Sequence, residues 1–210
     1  MMLHTNITLI EFIFLTLTIS LSGVMAPGPM SAVTINHGTH SRLAGLKVAS
    51  GHAIIELPVI FALFFGIKII TQFTDITTYI TLAGSIVLCI LATLTLKSLR
   101  NNNTTIQSYT PMVDGIVLSA FNPYFYVWWL TIGLSLIQKA IIFGATGLAL
   151  FSVLHLACDY LWLLLLSIIS FAGASFLGTR FKTAVGIITV VMLYGFGLFF
   201  MYDALKQLYF

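Results

Sequence analysis

Two short segments of the sequence place a histidine four residues before an acid. GHAIIEL contains His52 and Glu56, and LHLACDYL contains His155 and Asp159. On a helix, residues four apart lie on the same face, so each histidine would stand beside its acid. Imidazole and carboxyl groups bind and release protons, and a carboxylate also attracts a cationic group. We interpret these four residues as candidates for substrate binding or proton coupling.

These ionisable residues lie in strongly apolar surroundings. The chain has 210 residues, of which 59% are hydrophobic and 7% are charged, and its mean hydropathy is +1.06. Soluble domains have about 25% charged residues, so a soluble globular protein is excluded. Asp159 lies about midway between Lys139 and Arg180, and Glu56 is near the middle of its own apolar run. An ionisable group at the bilayer centre costs about 2.5 kcal/mol or more unless it faces protein or water, which favours a functional role over a purely structural one.

Two proline motifs interrupt apolar runs. Pro27, Gly28 and Pro29 form the first motif, and Asn122 and Pro123 form the second. Proline removes a helix hydrogen bond and clashes with the preceding turn. Within a membrane, the freed backbone groups are tolerated where they line a cavity or contact protein. Broken helices at corresponding places in two halves of a chain indicate a transport site, where half-helix ends can hold an anionic group.

The elements that carry these residues are predicted to be six transmembrane helices, which makes the chain an all-α membrane protein. Continuous apolar runs of about 20 residues are typical of membrane helices, whereas barrel strands alternate. The polar segment 101–111 is predicted to be a linker between a first repeat, 1–100, and a second repeat, 112–210. The expected spans are 8–36, 48–67 and 76–96 in the first repeat and 114–138, 144–170 and 183–205 in the second.

The two halves are predicted to be inverted repeats. The first His–acid pair is separated from the second by the same number of residues that separates Glu11 from Asp114, at the starts of spans 1 and 4. Because three spans is an odd number, the second half enters the membrane in the opposite direction. Many secondary transporters use this arrangement for alternating access.

The distribution of basic residues predicts the orientation. The first Lys or Arg is Arg42, so the N-terminal segment is expected to be a retained span rather than a signal peptide. The chain has no basic patch, and nucleic-acid binding is therefore not expected. The loops after spans 1, 3 and 5 hold more Lys and Arg than the opposite side, which predicts that they are cytoplasmic and that both termini are outside. Their basic residues are Arg42, Lys47, Lys97, Arg100, Arg180 and Lys182, against Lys68, Lys139 and Lys206.

Two further groups of residues are expected at the periphery. His37 and His40 are expected in a solvated loop. Aromatic residues follow the second break and are expected to face lipid or the interface rather than surround a cation. They are Tyr124, Phe125, Tyr126, Trp128 and Trp129.

Two stretches resemble the lysine exporter (LysE/RhtB) family of amino-acid translocators. MAPGPMSAVTINHGTHSRLAGLKVASGHAI is similar to the span 1–2 region of that family, and SAFNPYFYVWW is similar to its Asn-Pro motif in span 4. The resemblance covers nearly the whole chain. It implies a homo-oligomeric exporter in the cell membrane that moves basic or small neutral amino acids at the expense of the proton gradient, with no catalysed reaction and no cofactor. The signature positions would be Pro27, Gly28, Pro29, Asn122 and Pro123, and Tyr124 stands where many members carry a basic residue.

One alternative uses the same residues differently. Two histidines and two acids supply the nitrogen and oxygen ligands that a divalent metal cation accepts, so the chain could instead export such a cation. No resident metal site is expected. A thiol–disulfide carrier is disfavoured, because Cys89 and Cys158 are not at equivalent positions of the repeats and no Cys-x-x-Cys motif is present.

Overall fold

A computed structural model describes residues 7–66, 74–100 and 110–209, and every regular element in these ranges is helical. The predicted all-α architecture is confirmed. The linker predicted at 101–111 lies outside the described residues except for its last two positions. The helices are α1 (Leu9–Val24), α2 (Pro29–Gly38), α3 (Ala44–Gly66), α4 (Thr74–Arg100), α5 (Pro111–Ala120), α6 (Pro123–Trp128), α7 (Leu134–Ile142) and α8 (Gly144–Tyr209), with a π-helical turn at Trp129–Gly133.

Several of these helices are long and apolar enough to cross a membrane. In the described part of the chain they are Ala44–Gly66, Tyr124–Ile142 and Gly144–Lys206, and α1 with α2 makes a fourth if the bent pair is one span. Leu82–Lys97 and Pro111–Ala120 are shorter apolar helices. The six predicted spans therefore stay a prediction.

The predicted span 8–36 consists of two helices at an angle of 76°. The side chain of Thr8 accepts a hydrogen bond from the backbone N–H of Glu11 and starts α1. α1 ends at Val24, before the first proline motif. Pro29 is the first residue of α2, where its missing N–H costs no hydrogen bond. The prolines thus break the helix and restart it in a new direction.

The predicted span 114–138 is also interrupted. α5 ends at Ala120, and the side chain of Asn122 accepts a hydrogen bond from the backbone N–H of Tyr124 at 3.1 Å, which caps α6. Pro123 is the first residue of α6. The π-helical turn that follows widens the helix before α7.

One glycine divides α8. Gly178 has φ 65° and ψ −146°, a left-handed conformation that a side chain disfavours. The chain is one unbroken helix from Gly144 to this point, including the segment around His155 and Asp159. The predicted spans 144–170 and 183–205 lie on either side of the break.

α3 lies against α5 and α8 through glycines. A side chain on Gly51 would overlap the carbonyl oxygen of Met112, and one on Gly115 would overlap that of Val48. Gly45 approaches the backbone of α8 in the same way. Small residues allow such close contact between membrane helices. These contacts fix the position of α3 along its axis relative to α5 and α8.

Hydroxyl groups of α8 form hydrogen bonds with the short helix α2. Ser170 donates a hydrogen bond to the carbonyl oxygen of Ile35 at 2.6 Å, and Thr189 donates to that of Ala32 at 3.2 Å. These interhelical hydrogen bonds hold a helix that is only ten residues long. The N-terminus of α2 is therefore placed by both parts of α8.

Candidate substrate and proton site

The four predicted residues form one buried cluster. His52 and Glu56 lie on α3, His155 and Asp159 lie on α8, and the exposed fraction of each is 7% or less. The Nε2 atoms of both histidines lie 3.1 Å from the same oxygen, Oε1 of Glu56. Asp159 places Oδ1 3.9 Å from Nε2 of His52 and Oδ2 3.8 Å from Nε2 of His155. The structure thus brings both His–acid pairs, one from each half of the chain, into a single site.

Two serines orient the histidines. No pattern in the sequence points to these serines. Nδ1 of His52 lies 2.7 Å from Oγ of Ser119 on α5, and Nδ1 of His155 lies 2.7 Å from Oγ of Ser20 on α1. Both serines are fully buried. Each histidine therefore contacts the helix that precedes a proline break in the other half of the chain.

The hydrogen bonds locate a proton between His52 and Glu56. The hydroxyl of Ser119 donates to the carbonyl oxygen of Gly115 at 2.6 Å, and a hydroxyl has only one hydrogen. Oγ of Ser119 must therefore accept from Nδ1–H of His52. If Nε2 of His52 had no hydrogen and the carboxyl group of Glu56 were ionised, two acceptors would face each other at 3.1 Å. One more proton must lie between them, either on Nε2 or on the carboxyl group.

The two acids each have one oxygen that makes no hydrogen bond. Within the described residues, Oε2 of Glu56 and Oδ2 of Asp159 are buried and make no hydrogen bond. An unpaired buried carboxylate oxygen is costly in a medium of low dielectric. A proton or a cationic group of a ligand would remove that cost. The contacts differ, because Glu56 already has two close histidines whereas the nearest histidine nitrogen to Asp159 is 3.8 Å away.

Aromatic residues of the second break surround the histidines, contrary to the expectation that they face lipid. Trp128 stacks on His155 with ring centroids 5.1 Å apart, and Trp129 meets the same ring edge-on at 5.2 Å. Phe125 packs edge-on against His52 at 5.5 Å. All three are at least nine-tenths buried. Only Tyr124 of this group is largely exposed, at 51%.

The cluster opens into a cavity of about 330 Å³. Both proline motifs contribute to its wall: Pro27, Gly28 and Pro29 at the first break, and Asn122 at the second. Pro123 is placed as the first residue of α6. The volume lies at the lower end of the range for small-molecule pockets, about 300–1,000 Å³. The broken helices and the buried ionisable residues thus share one cavity.

The two breaks offer different chemistry to this cavity. The first backbone N–H groups of a helix have no partner within it. At α6, the side chain of Asn122 caps the N–H of Tyr124. At α2, the capping position is Gly28, which has no side chain, and no described side chain bonds the N–H groups that follow. Met30 and Ser31 line the cavity at this point. The N-terminus of α2 therefore has free donors and the positive end of a helix dipole.

Outside the cavity, the expectation for His37 is wrong. It belongs to the last turn of α2, and its Nε2 lies 2.6 Å from Oδ2 of Asp114 on α5. Asp114 is 1% exposed. The repeat-related Glu11 is instead exposed and bonds the backbone and hydroxyl of Thr8. The matched positions of Glu11 and Asp114 therefore do not correspond to matched environments.

His40 lies in the turn after α2 and is exposed, as expected. Partial burial lowers the pKa of its imidazole, and the nearby Lys182 and His37 act in the same direction.

The cluster also has the groups that a metal ion needs. His52, Glu56 and Asp159 can each place one ligand atom so that the three atoms lie within 4.8 Å of one another. Nitrogen and carboxylate oxygen suit several divalent cations. The geometry alone thus admits both an amino group and a metal ion.

Comparison with protein families identifies the class of protein. Residues 21–204 match the family model described as LysE type translocator, which confirms the resemblance seen in the two motifs. Comparisons with curated proteins and with solved structures gave no match. The match extends from before the first break to near the end of α8 and contains all four residues of the cluster. The chain therefore belongs to the LysE type translocators, which makes it a multi-pass membrane protein that exports amino acids or related compounds.

Proposed function

We propose that the chain exchanges protons for an amino acid and that Asp159 binds either one or the other. The observation that carries this proposal is that Oδ2 of Asp159 makes no hydrogen bond and is buried beside a cavity with an open helix N-terminus. The ammonium group of the substrate would bind Asp159, and its carboxylate would bind the backbone N–H groups of Met30 and Ser31. An α-amino acid carries its ammonium and carboxylate groups on one carbon atom, which suits a cavity with an acid on one side and helix N–H donors on the other.

Competition at one carboxylate is sufficient for exchange. A proton on Asp159 removes the charge that holds the ammonium group, so substrate and proton exclude each other. If the empty carrier returns only with Asp159 protonated, each amino acid exported is matched by a proton that enters. Glu56 has a different role in this proposal, because both histidines bond its Oε1 and the contact with His155 holds the two halves together.

The cluster also supports an inverted repeat with six crossings. Each histidine bonds a serine of the opposite half, and these two contacts are reciprocal. We propose that α8 crosses the membrane twice, once on each side of Gly178, and that the termini are outside. Movement of one half against the other would then expose the cavity on alternate sides.

The metal alternative has less support. The ligand spacing admits a cation, but the family match favours an organic substrate. The open N-terminus of α2 also has no function in binding a cation, since its donors attract anions.

The test is transport by the purified chain in proteoliposomes, with the membrane potential clamped by valinomycin and equal potassium on both sides. The panel is labelled lysine, arginine, threonine, homoserine and leucine. An acidic interior should drive uptake of at least one of them, and Asp159→Asn should abolish it. Glu11→Gln is the matched control, because it changes an exposed acid and should leave uptake unchanged. Uptake that ignores the pH gradient, or that Asp159→Asn does not reduce, would overturn the proposal.

A further inference from the structure

We propose that the substrate is a neutral amino acid with a large apolar side chain, such as leucine, methionine or phenylalanine, and not a basic one. This inference rests on the proposed function and concerns the part of the cavity that receives the side chain. The charges available in the site and the wall that faces them support it.

The charged groups are sufficient for one ammonium group only. Oε1 of Glu56 has two histidine partners at 3.1 Å, so the charge of this acid is shared with the histidines although its Oε2 makes no hydrogen bond. Asp159 is the acid left for the α-ammonium group. A lysine or arginine substrate would bring a second cation, and the described residues that line the cavity have no third acid to bind it.

An acidic substrate is disfavoured because its second carboxylate would need a cationic side chain in the cavity. No Lys or Arg is among the described residues that line the cavity. The histidines are bonded on both nitrogens, to Glu56 on one side and to Ser119 or Ser20 on the other. The net charge that the site accepts is therefore that of a zwitterion with an uncharged side chain.

The remaining wall is apolar. Phe196, Phe199 and Phe200 line the cavity from the part of α8 beyond Gly178, and Leu163 lines it from the part before. Phe196 and Phe200 also pack against a buried cluster of apolar residues, which holds them in place. Contact with such a wall favours a side chain that buries apolar area, so alanine and serine should bind less well than leucine or phenylalanine.

Phe199 is the position at which this selectivity can be changed. Its exposed fraction is 62%, so a substitution there leaves the packed core intact. Phe199→Glu would supply a third acid beside the apolar wall. Phe176 is the matched control, because it is a phenylalanine of α8 on the other side of Gly178, is 89% exposed and does not line the cavity.

The experiment is counterflow in proteoliposomes with labelled leucine, methionine, phenylalanine, alanine, lysine and glutamate. The wild-type chain should accumulate the first three at least about tenfold faster than lysine or glutamate, which corresponds to about 1.4 kcal/mol in relative binding. Phe199→Glu should lower the ratio of leucine to lysine at least about tenfold, and Phe176→Glu should leave it unchanged.

The outcomes separate this inference from the proposed function. Lysine transport that equals or exceeds leucine transport would overturn the apolar substrate and leave the exchange mechanism standing. A flat panel from folded protein would overturn both. A ratio that Phe199→Glu and Phe176→Glu change equally would show that the phenylalanine wall does not select the side chain.

Discussion

Oε1 of Glu56, in the first half of the chain, lies 3.1 Å from Nε2 of His155, in the second half. The same oxygen lies 3.1 Å from Nε2 of His52 on its own helix. A single atom therefore connects the two halves of the site. Because Oε1 can hold only one proton, at least one of the two histidine nitrogens must donate to it. Relative movement of α3 and α8 would change the contact with His155 and leave the contact with His52, which lies within α3.

Replacement of Glu56 should destabilise the protein more than replacement of an exposed acid. Glu56→Ala removes the acceptor of two buried histidines, and loss of one partner from a buried charged network costs about 3–5 kcal/mol. Thermal unfolding of the purified protein in detergent should show a large fall in Tm. Glu11→Ala should have a much smaller effect, because Glu11 is exposed and bonds only Thr8 among the described contacts. Equal Tm values for the two variants would contradict a central role for Glu56.

Removal of the Ser119 hydroxyl should alter transport through His52. Ser119→Ala leaves Nδ1–H of His52 buried without its acceptor, at a cost of about 1–3 kcal/mol. We expect the exchange rate to fall on the order of tenfold, equivalent to 1.4 kcal/mol. The pH profile of exchange should also shift, because the ring faces Glu56, Asp159 and His155 and the position of its protons depends on Ser119.

Two further variants test whether the Ser119 hydroxyl itself matters. Ser119→Thr keeps a hydroxyl and should restore most of the rate and the pH profile. Ser22→Ala is the control, since its hydroxyl only donates to the carbonyl oxygen of Ile19 one turn earlier. If Ser119→Ala lowers the rate without any change in the pH profile, the serine supports packing alone.

The sequence predicts the acids and histidines of the site but not the serines. Spacing of four on an apolar helix shows that His52 and Glu56 share a face, and charge in an apolar run is rare enough to be informative. Serine is common in membrane helices and usually bonds the preceding turn, as Ser22 does. Only the tertiary contact between α3 and α5 shows that Ser119 also bonds a histidine.

The breaks in the helices are predictable from proline, but their different chemistry is not. Asn122 caps α6, whereas Gly28 leaves the donors of α2 uncapped. The burial of Trp128 and Trp129 also depends on which side of the broken helix faces α8, which no local pattern determines. The expectation that His37 lies in a solvated loop is wrong for a similar reason, because its partner Asp114 lies on a helix far away in the sequence.

The His37–Asp114 hydrogen bond should stabilise the junction of α2 and α5. His37→Ala removes one partner of a buried carboxyl group, and hydrogen bonds to charged groups contribute about 1.5–3 kcal/mol. A lower Tm in detergent is expected. His40→Ala is the control, because this residue is exposed in the following turn and should change stability by about 0.5 kcal/mol or less. Similar Tm values for both variants would show that the contact between α2 and α5 does not depend on His37.

The contact between Gly51 and α5 should control the geometry of the site as well as stability. Gly51 precedes His52, and its Cα faces the carbonyl oxygen of Met112 so closely that a side chain would overlap it. Gly51→Ala would force α3 away from α5, and such overpacking costs about 1–3 kcal/mol. The same displacement would lengthen the 2.7 Å contact between His52 and Ser119. Gly66→Ala is the matched control, since it lies on the same helix with open space around it and alanine there favours the helix. We therefore expect Gly51→Ala to lose both Tm and exchange activity and Gly66→Ala to keep both. If Gly51→Ala retained full exchange despite a lower Tm, the separation of α3 and α5 would not set the position of His52.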